Sequence, residues 1–130
     1  MVGTKSNEMI LGVGVDMASV CRFEQALQRF GLRLVKKLMT PAEIERWPAV
    51  DGRRLAKVFS AKEAVVKALG SGFREGVTLQ SISIEQSSLG APLVVLSGAA
   101  QARLERLGGR EVLVSISDEE ESVIAFAIAQ

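Results

Sequence analysis

From Arg54 to Leu69 the chain runs through sixteen residues with no glycine or proline, rich in Ala, Val and Leu, and then meets Gly70-Ser71-Gly72. That composition predicts one long helix, and the glycines just beyond Leu69 predict where it stops. From Val58 onward three charges, Lys62, Glu63 and Lys67, interrupt small apolar residues. Glu63 and Lys67 stand four apart and so project from one helical face. Two readings follow. One is a surface ion pair, worth a few tenths of a kcal/mol. The other is a carboxylate beside an ammonium, an arrangement that holds a metal ion and a phosphate side by side.

A second segment bears on that choice. Met9-Ile10-Leu11-Gly12-Val13-Gly14-Val15 predicts a buried strand whose alternating glycines bring it close to other backbone, and it ends on the carboxylate of Asp16. A carboxylate at the end of a buried strand is well placed to bind a cation. Alternatively, Asp16 or Ser19 simply caps the next helix. The Gly-x-Gly pair is weak evidence for a nucleotide, because the full dinucleotide fingerprint is absent.

The remaining pattern predicts a single α+β domain over residues 9–130, preceded by a flexible tail, 1–8. A helix is expected over Val20–Phe30, with Val20, Phe23, Ala26, Leu27 and Phe30 as its apolar stripe. Gly31 breaks it, and a short piece, Leu34–Leu38, follows. Thr40-Pro41-Ala42-Glu43 is a capping-box pattern with proline at the first helical position. Strands are expected at Ser81–Gln86 and Pro92–Leu96, a helix at Gly98–Leu107, and an antiparallel pair at Val112–Ser117 and Ser122–Ala129.

Composition narrows the chemistry. The chain has no histidine and one cysteine, Cys21. An intrachain disulfide, a zinc cluster and a Ser-His triad are thereby excluded, so catalysis would rest on carboxylates, lysine, arginine or hydroxyls. No apolar run approaches a membrane span, and Met1–Glu8 does not read as part of a signal peptide, so a cytoplasmic place is expected. Net charge is +1, but it is unevenly spread. Arg22, Arg29, Arg33, Lys36 and Lys37 form a basic stretch, and Asp118-Glu119-Glu120-Glu121 an acidic pole. The basic stretch either faces an acidic partner or solubilises an amphipathic helix. It lacks the interleaved aromatics of a nucleic-acid binder.

Taken together, Gly14-Val15-Asp16 with Arg22 six residues on, and Phe59-x-x-Lys62-Glu63-x-x-x-Lys67-Ala68-Leu69-Gly70, resemble holo-acyl-carrier-protein synthases, the short bacterial 4′-phosphopantetheinyl transferases. Gly70-Ser71-Gly72 and Ser115-Ile116-Ser117-Asp118-Glu119 resemble the family's helix-end turn and late strand. The resemblance spans about Ile10 to Ala129. It implies an antiparallel sheet packed on the long helix and Mg²⁺ held by Asp16 and Glu63, with Lys67 neutralising phosphate charge. It implies coenzyme A as substrate, with Lys67, Gly70, Ser71, Gly72, Lys57 and Pro92 as its binding residues. An acidic acyl carrier protein would meet the face carrying Arg22 and Arg29, and Glu63 or a metal-linked water would serve as base. It further implies a homotrimer with active sites between subunits.

The chain departs from that pattern at Val58, where the family usually has arginine, and at Gly90-Ala91-Pro92, where it usually has Gly-Lys-Pro. It also lacks a histidine common near the late strand. Lys57, Arg53 or Arg54 would have to stand in. The competing expectation is therefore a relative that holds carrier protein or nucleotide without turnover.

Overall fold

The structure is a computed structural model that describes residues 9–130, so the expected tail, 1–8, lies outside the described residues. The chain folds as β1 (Gly12–Ser19), α1 (Val20–Phe30), α2 (Leu32–Leu38), α3 (Pro41–Arg46) and α4 (Gly52–Leu69). A 3₁₀ turn (Leu79–Ser81), β2 (Ile82–Gln86), β3 (Pro92–Leu96), α5 (Gly98–Arg106), β4 (Val112–Asp118) and β5 (Ser122–Ala129) follow. All strand pairing is antiparallel, but it forms two sheets rather than one: β1-β5-β4 and β2-β3.

The long helix is central as expected, and twelve of its eighteen residues are buried. It begins two residues earlier than the sequence suggested, because Asp51 caps it by accepting from the Arg54 amide at 2.8 Å. Gly70 ends it in the left-handed conformation, at φ 71°, where a side chain would be strained.

What seats α4 is the absence of side chains beneath it. The inner face of the larger sheet carries Gly12, Gly14 and Ala18 on β1 and Val123, Ala125, Ala127 and Ala129 on β5. A Cβ added at Gly12 would overlap the Ala68 carbonyl, and one at Gly14 would overlap the Ala64 carbonyl. The glycines are therefore the seat of a helix, the close backbone approach expected of them. Their order also shows that α4 runs antiparallel to β1.

Two expectations about β1 need correction. The strand is displaced toward the C-terminus and runs through Asp16 to Ser19, so Asp16 lies within it rather than at its end. It is also buried on one face only: Val13, Val15 and Met17 are exposed. The cap of α1 is Ser19, whose hydroxyl accepts from the Arg22 amide at 3.2 Å.

A second core packs Val35, Leu38, Met39, Leu55 and Val58 between α2 and α4. Val58, at the position where an arginine was expected, is thus a core side chain. Within this region lies a fully buried ion pair. The Lys62 ammonium donates to Glu43 Oε1 at 2.8 Å, to the Leu38 carbonyl at 2.9 Å and to the Leu79 carbonyl at 3.0 Å. Glu43 also accepts from the amides of Thr40 and Ile84. Burial pulls the ammonium below its ordinary pKa, and Glu43 opposes that pull. Five elements, α2, α3, α4, the 3₁₀ turn and β2, thereby meet at one satisfied charge pair.

Gly14→Ala should lower stability by about 1–3 kcal/mol through overpacking. Lys62→Met should cost about 3–5 kcal/mol, because it leaves the Glu43 carboxylate buried and uncompensated. Urea unfolding followed by far-UV circular dichroism reads both. A Gly14→Ala protein as stable as the parent would refute the close seating of α4.

Candidate active site

On the inner face of β1 the order is Gly12, Gly14, Asp16, Ala18, so Asp16 continues the line on which α4 rests. β1 is an edge strand, and α4 lies along it. Lys67 leaves α4 beside Gly14 and donates to the Val15 carbonyl at 2.8 Å and to Asp16 Oδ1 at 3.3 Å. Glu63, one turn before Lys67, is partly buried and faces the same place. Its pKa is raised, first by burial, then by the Asp16 charge, while Lys67 pulls it down. Sequence reasoning placed Asp16, Glu63 and Lys67 in one site, and the structure brings these three together. The Asp16 side chain is 19% exposed and that of Lys67 51%, so the site opens to solvent at the sheet edge.

Two carboxylates and one ammonium leave this cluster with a net negative charge. Among the described residues, no group of three or more His, Cys, Asp or Glu side chains gathers as a metal cage. A hard divalent cation of the Mg²⁺ type fits what is present, since it takes one or two carboxylates and completes its shell with water and phosphate oxygens. A soft or cage-seeking ion does not.

The other candidates are distributed differently. At the end of α4, the Gly70 amide donates to the Lys67 carbonyl and the Gly72 amide to the Val66 carbonyl, while the Ser71 hydroxyl donates to the Gly72 carbonyl. Two of the three amides expected to cradle phosphate are thus committed to the helix end, which is moreover the negative end of the dipole. Lys57 and Pro92 line a separate cleft of about 180 Å³ with Trp47, Arg54, Ile84, Gln86 and Ile116. Lys57 is six residues from Glu63, about 9 Å along the helix axis and about 120° around it. One chain therefore holds two places, not one continuous site.

Lys57 is also engaged. Its ammonium lies 2.9 Å from Asp118 Oδ2, and Arg53 grips the other oxygen of Asp118 and the carbonyls of Glu119 and Glu120. The Lys57 hydrogen bond, and after it that of Arg53, holds the Asp118 carboxyl below its usual pKa. In the same cleft the Arg54 guanidinium stacks on Trp47, 4.4 Å from the ring centroid.

Sequence reasoning missed Glu43 as the partner of Lys62. The capping box explained Glu43 locally, and no spacing rule links residues nineteen apart. Arg22 and Arg29 are exposed two turns apart on α1. Among the described residues, none of Arg22, Arg29, Arg33, Lys36 and Lys37 forms an ion pair. Phe30 and Leu32 are exposed beside them, with Arg29 lying 5.2 Å over the Phe30 ring.

Residues 12–127 match the model of the 4′-phosphopantetheinyl transferase superfamily. The chain belongs to that superfamily. Within it, the chain is 41% identical to a holo-[acyl-carrier-protein] synthase of Vibrio cholerae over 124 residues, covering 94% of this chain and 98% of the relative. It is 40% identical to one of Solidesulfovibrio magneticus over 122 residues, covering 94% and 99%. The crystal structure of the Neisseria meningitidis holo-[acyl-carrier-protein] synthase superposes with a TM-score of 0.85 at 38% identity, covering 94% of this chain and 99% of that one. That of Helicobacter pylori, in complex with coenzyme A, superposes with a TM-score of 0.80 at 27% identity, covering 91% and 99%. The expected transferase family and α+β fold therefore hold for this phosphopantetheinyl transferase. Among its described residues, no helix is long and apolar enough to cross a membrane.

Asp118→Asn tests the clasp on Lys57. Because the folded-state pKa of Asp118 is depressed, its contribution to stability is present above the ordinary carboxylate range, near pH 4, and is lost as pH falls through the folded value. Asp118→Asn should therefore be less stable than the parent at neutral pH, with the difference vanishing in acid. Denaturant titrations across pH check this, and a pH-independent difference would refute it.

Proposed function

We propose that this chain transfers 4′-phosphopantetheine from coenzyme A to a serine of an apo-acyl carrier protein, releasing adenosine 3′,5′-bisphosphate. The observation that carries the reading is the cluster at the sheet edge: Asp16 and Glu63, with the Lys67 ammonium held between the Val15 carbonyl and Asp16. Asp16 and Glu63 would hold Mg²⁺, which when bound supplies positive charge to the pyrophosphate oxygens. Lys67 is held where its charge meets the phosphate, so its stabilisation grows as negative charge builds in the transition state. The carrier-protein serine oxygen bonds to the β-phosphorus as the bridging bond to the α-phosphate breaks. Glu63 or a water held by the metal would take the serine proton.

The acidic carrier protein meets α1 and α2, where Arg22, Arg29, Arg33, Lys36 and Lys37 are unneutralised and Phe30 and Leu32 offer apolar contact. A homotrimer with sites between subunits accounts for two features. The outer face of the larger sheet exposes Val13, Val15, Met17, Leu113, Ile124 and Phe126, an apolar patch of the kind that subunits cover. The Lys57–Pro92 cleft lies apart from Asp16 and Glu63 within one chain, and a neighbour would bring the two places together to take both ends of coenzyme A. The setting is the cytoplasm, priming carrier proteins of fatty-acid or polyketide synthesis. The alternative, a binder without turnover, has one observation behind it: Asp118 already occupies Lys57.

Incubation with apo-acyl carrier protein, coenzyme A and Mg²⁺ should add the mass of one phosphopantetheine, and chelation should prevent the gain. Asp16→Ala and Glu63→Ala should each lower kcat/KM at least ~100-fold, the scale of lost charge stabilisation at a phosphoryl centre, with the fold intact. Unchanged turnover in either would refute the metal assignment. Arg22→Glu should raise the KM for carrier protein and leave that for coenzyme A unchanged. The reverse pattern would move the partner face elsewhere.

A further inference from the structure

One row of α4 lies along β1. A Cβ at Gly12 would meet the Ala68 carbonyl and one at Gly14 the Ala64 carbonyl, so two residues up the strand correspond to four residues back along the helix. The two steps match in length, at about 6.6 Å and about 6 Å. The next steps set Asp16 against Ser60 and Ala18 against Ala56, and Ala18 and Ala56 do share a core. Ser60 therefore stands in the seam at the level of Asp16. Glu63 and Lys67 follow it at i+3 and i+7, on the same stripe of the helix.

The seam does not need a hydroxyl. Its neighbouring helix positions, Ala56, Ala64 and Ala68, are all alanine. Ser60 is fully buried, and among the described residues its Oγ is the one buried side-chain oxygen or nitrogen without a hydrogen-bond partner. It does not donate to the carbonyl four residues back, the usual recourse of a serine inside a helix. Thr40, Ser71 and Ser81, the other buried hydroxyls, each have a partner. An unused donor in a protein interior is rare and asks for a reason. The acceptor at its own level is the Asp16 carboxylate, whose one side-chain hydrogen bond among the described residues comes from Lys67, at a loose 3.3 Å.

We propose that Ser60 is a positioning residue for Asp16: its hydroxyl donates to the carboxylate from inside the seam when a divalent cation draws Asp16 away from Lys67. The inference rests on the metal assignment of the transferase reading and names what holds the ligand in place. A cation and an ammonium compete for the same carboxylate, and a 3.3 Å contact with a half-exposed lysine yields first. The carboxylate oxygen turned away from the cation then needs a donor, as metal ligands commonly have from the protein behind them. No covalent bond changes, and the proton stays on the serine.

Mn²⁺ alone, followed by its electron paramagnetic resonance signal, tests this without turnover. Ser60→Ala removes the donor, and Ser60→Cys keeps the shape and offers only a weak one. Both should bind Mn²⁺ roughly tenfold more weakly than the parent, the lower end of what losing such a partner costs a metal site. Without metal, Ser60→Ala should unfold in urea at the parent's midpoint or above it, because the hydroxyl it loses is unpaired. In transfer assays the Mg²⁺ concentration for half-maximal rate should rise by the same factor, and the KM for carrier protein should not move. Equal Mn²⁺ affinity in the parent and Ser60→Ala overturns the proposal. So does a lower urea midpoint for Ser60→Ala, which would make the hydroxyl part of the fold. A parent protein that binds no Mn²⁺ refutes the metal assignment instead. A parent that binds Mn²⁺ tenfold more tightly than Ser60→Ala, yet transfers nothing, upholds the role of Ser60 and refutes only the transferase reading.

Discussion

The rest of this structure depends on how closely α4 lies on β1. Two glycines let the carbonyls of Ala64 and Ala68 occupy space that any side chain would fill. Alanines at 125, 127 and 129 continue the same low surface across β5. The contact is gained by removing atoms rather than by adding large side chains, so it has little freedom to slide or lift. Asp16 comes next along that line, which is why an aspartate of a sheet reaches a lysine and a glutamate of a helix. A helix held higher would break the Lys67 contacts with Val15 and Asp16.

Electrostatics then give the cluster its chemical character. At the edge of a sheet, β1 offers a carbonyl that no neighbouring strand takes, and Lys67 uses it together with Asp16. Glu63 sits in partial burial beside a second carboxylate, and both effects favour its neutral form. Such a cluster is poised for a cation and for anionic oxygens. Arg22, Arg29, Arg33, Lys36 and Lys37 of α1 and α2 form no ion pair with it.

The three charges of α4 show how much the helix face decides. Lys62 and Glu63 are adjacent in sequence and about 100° apart around the helix. The first is fully buried, with each ammonium proton given to an acceptor, and joins α2, α3 and the turn before β2 to α4. The second reaches solvent at the reacting cluster. Breaking the buried pair would loosen the helix on which the cluster stands, so a structural and a chemical role share neighbouring positions.

Much of this was legible in the sequence. Helix lengths, the Thr40 capping box, the stop at Gly70 and the hairpin of β4 and β5 follow from local preferences, and the i, i+4 relation of Glu63 and Lys67 from helical geometry alone. What local pattern could not supply was register and partnership. That β1 runs on through Asp16 depends on its pairing with β5; that Lys62 meets Glu43, and that Asp118 holds Lys57, depends on elements far apart in sequence. Nor could alternation reveal that Val13, Val15 and Met17 face outward, because a strand with glycine on one face and apolar residues on the other reads as buried throughout. The sequence by itself determined the elements and the charges available at one helix face. Only the tertiary structure decided which charges meet, because long-range pairing and burial, not local propensity, set the distances over which they act.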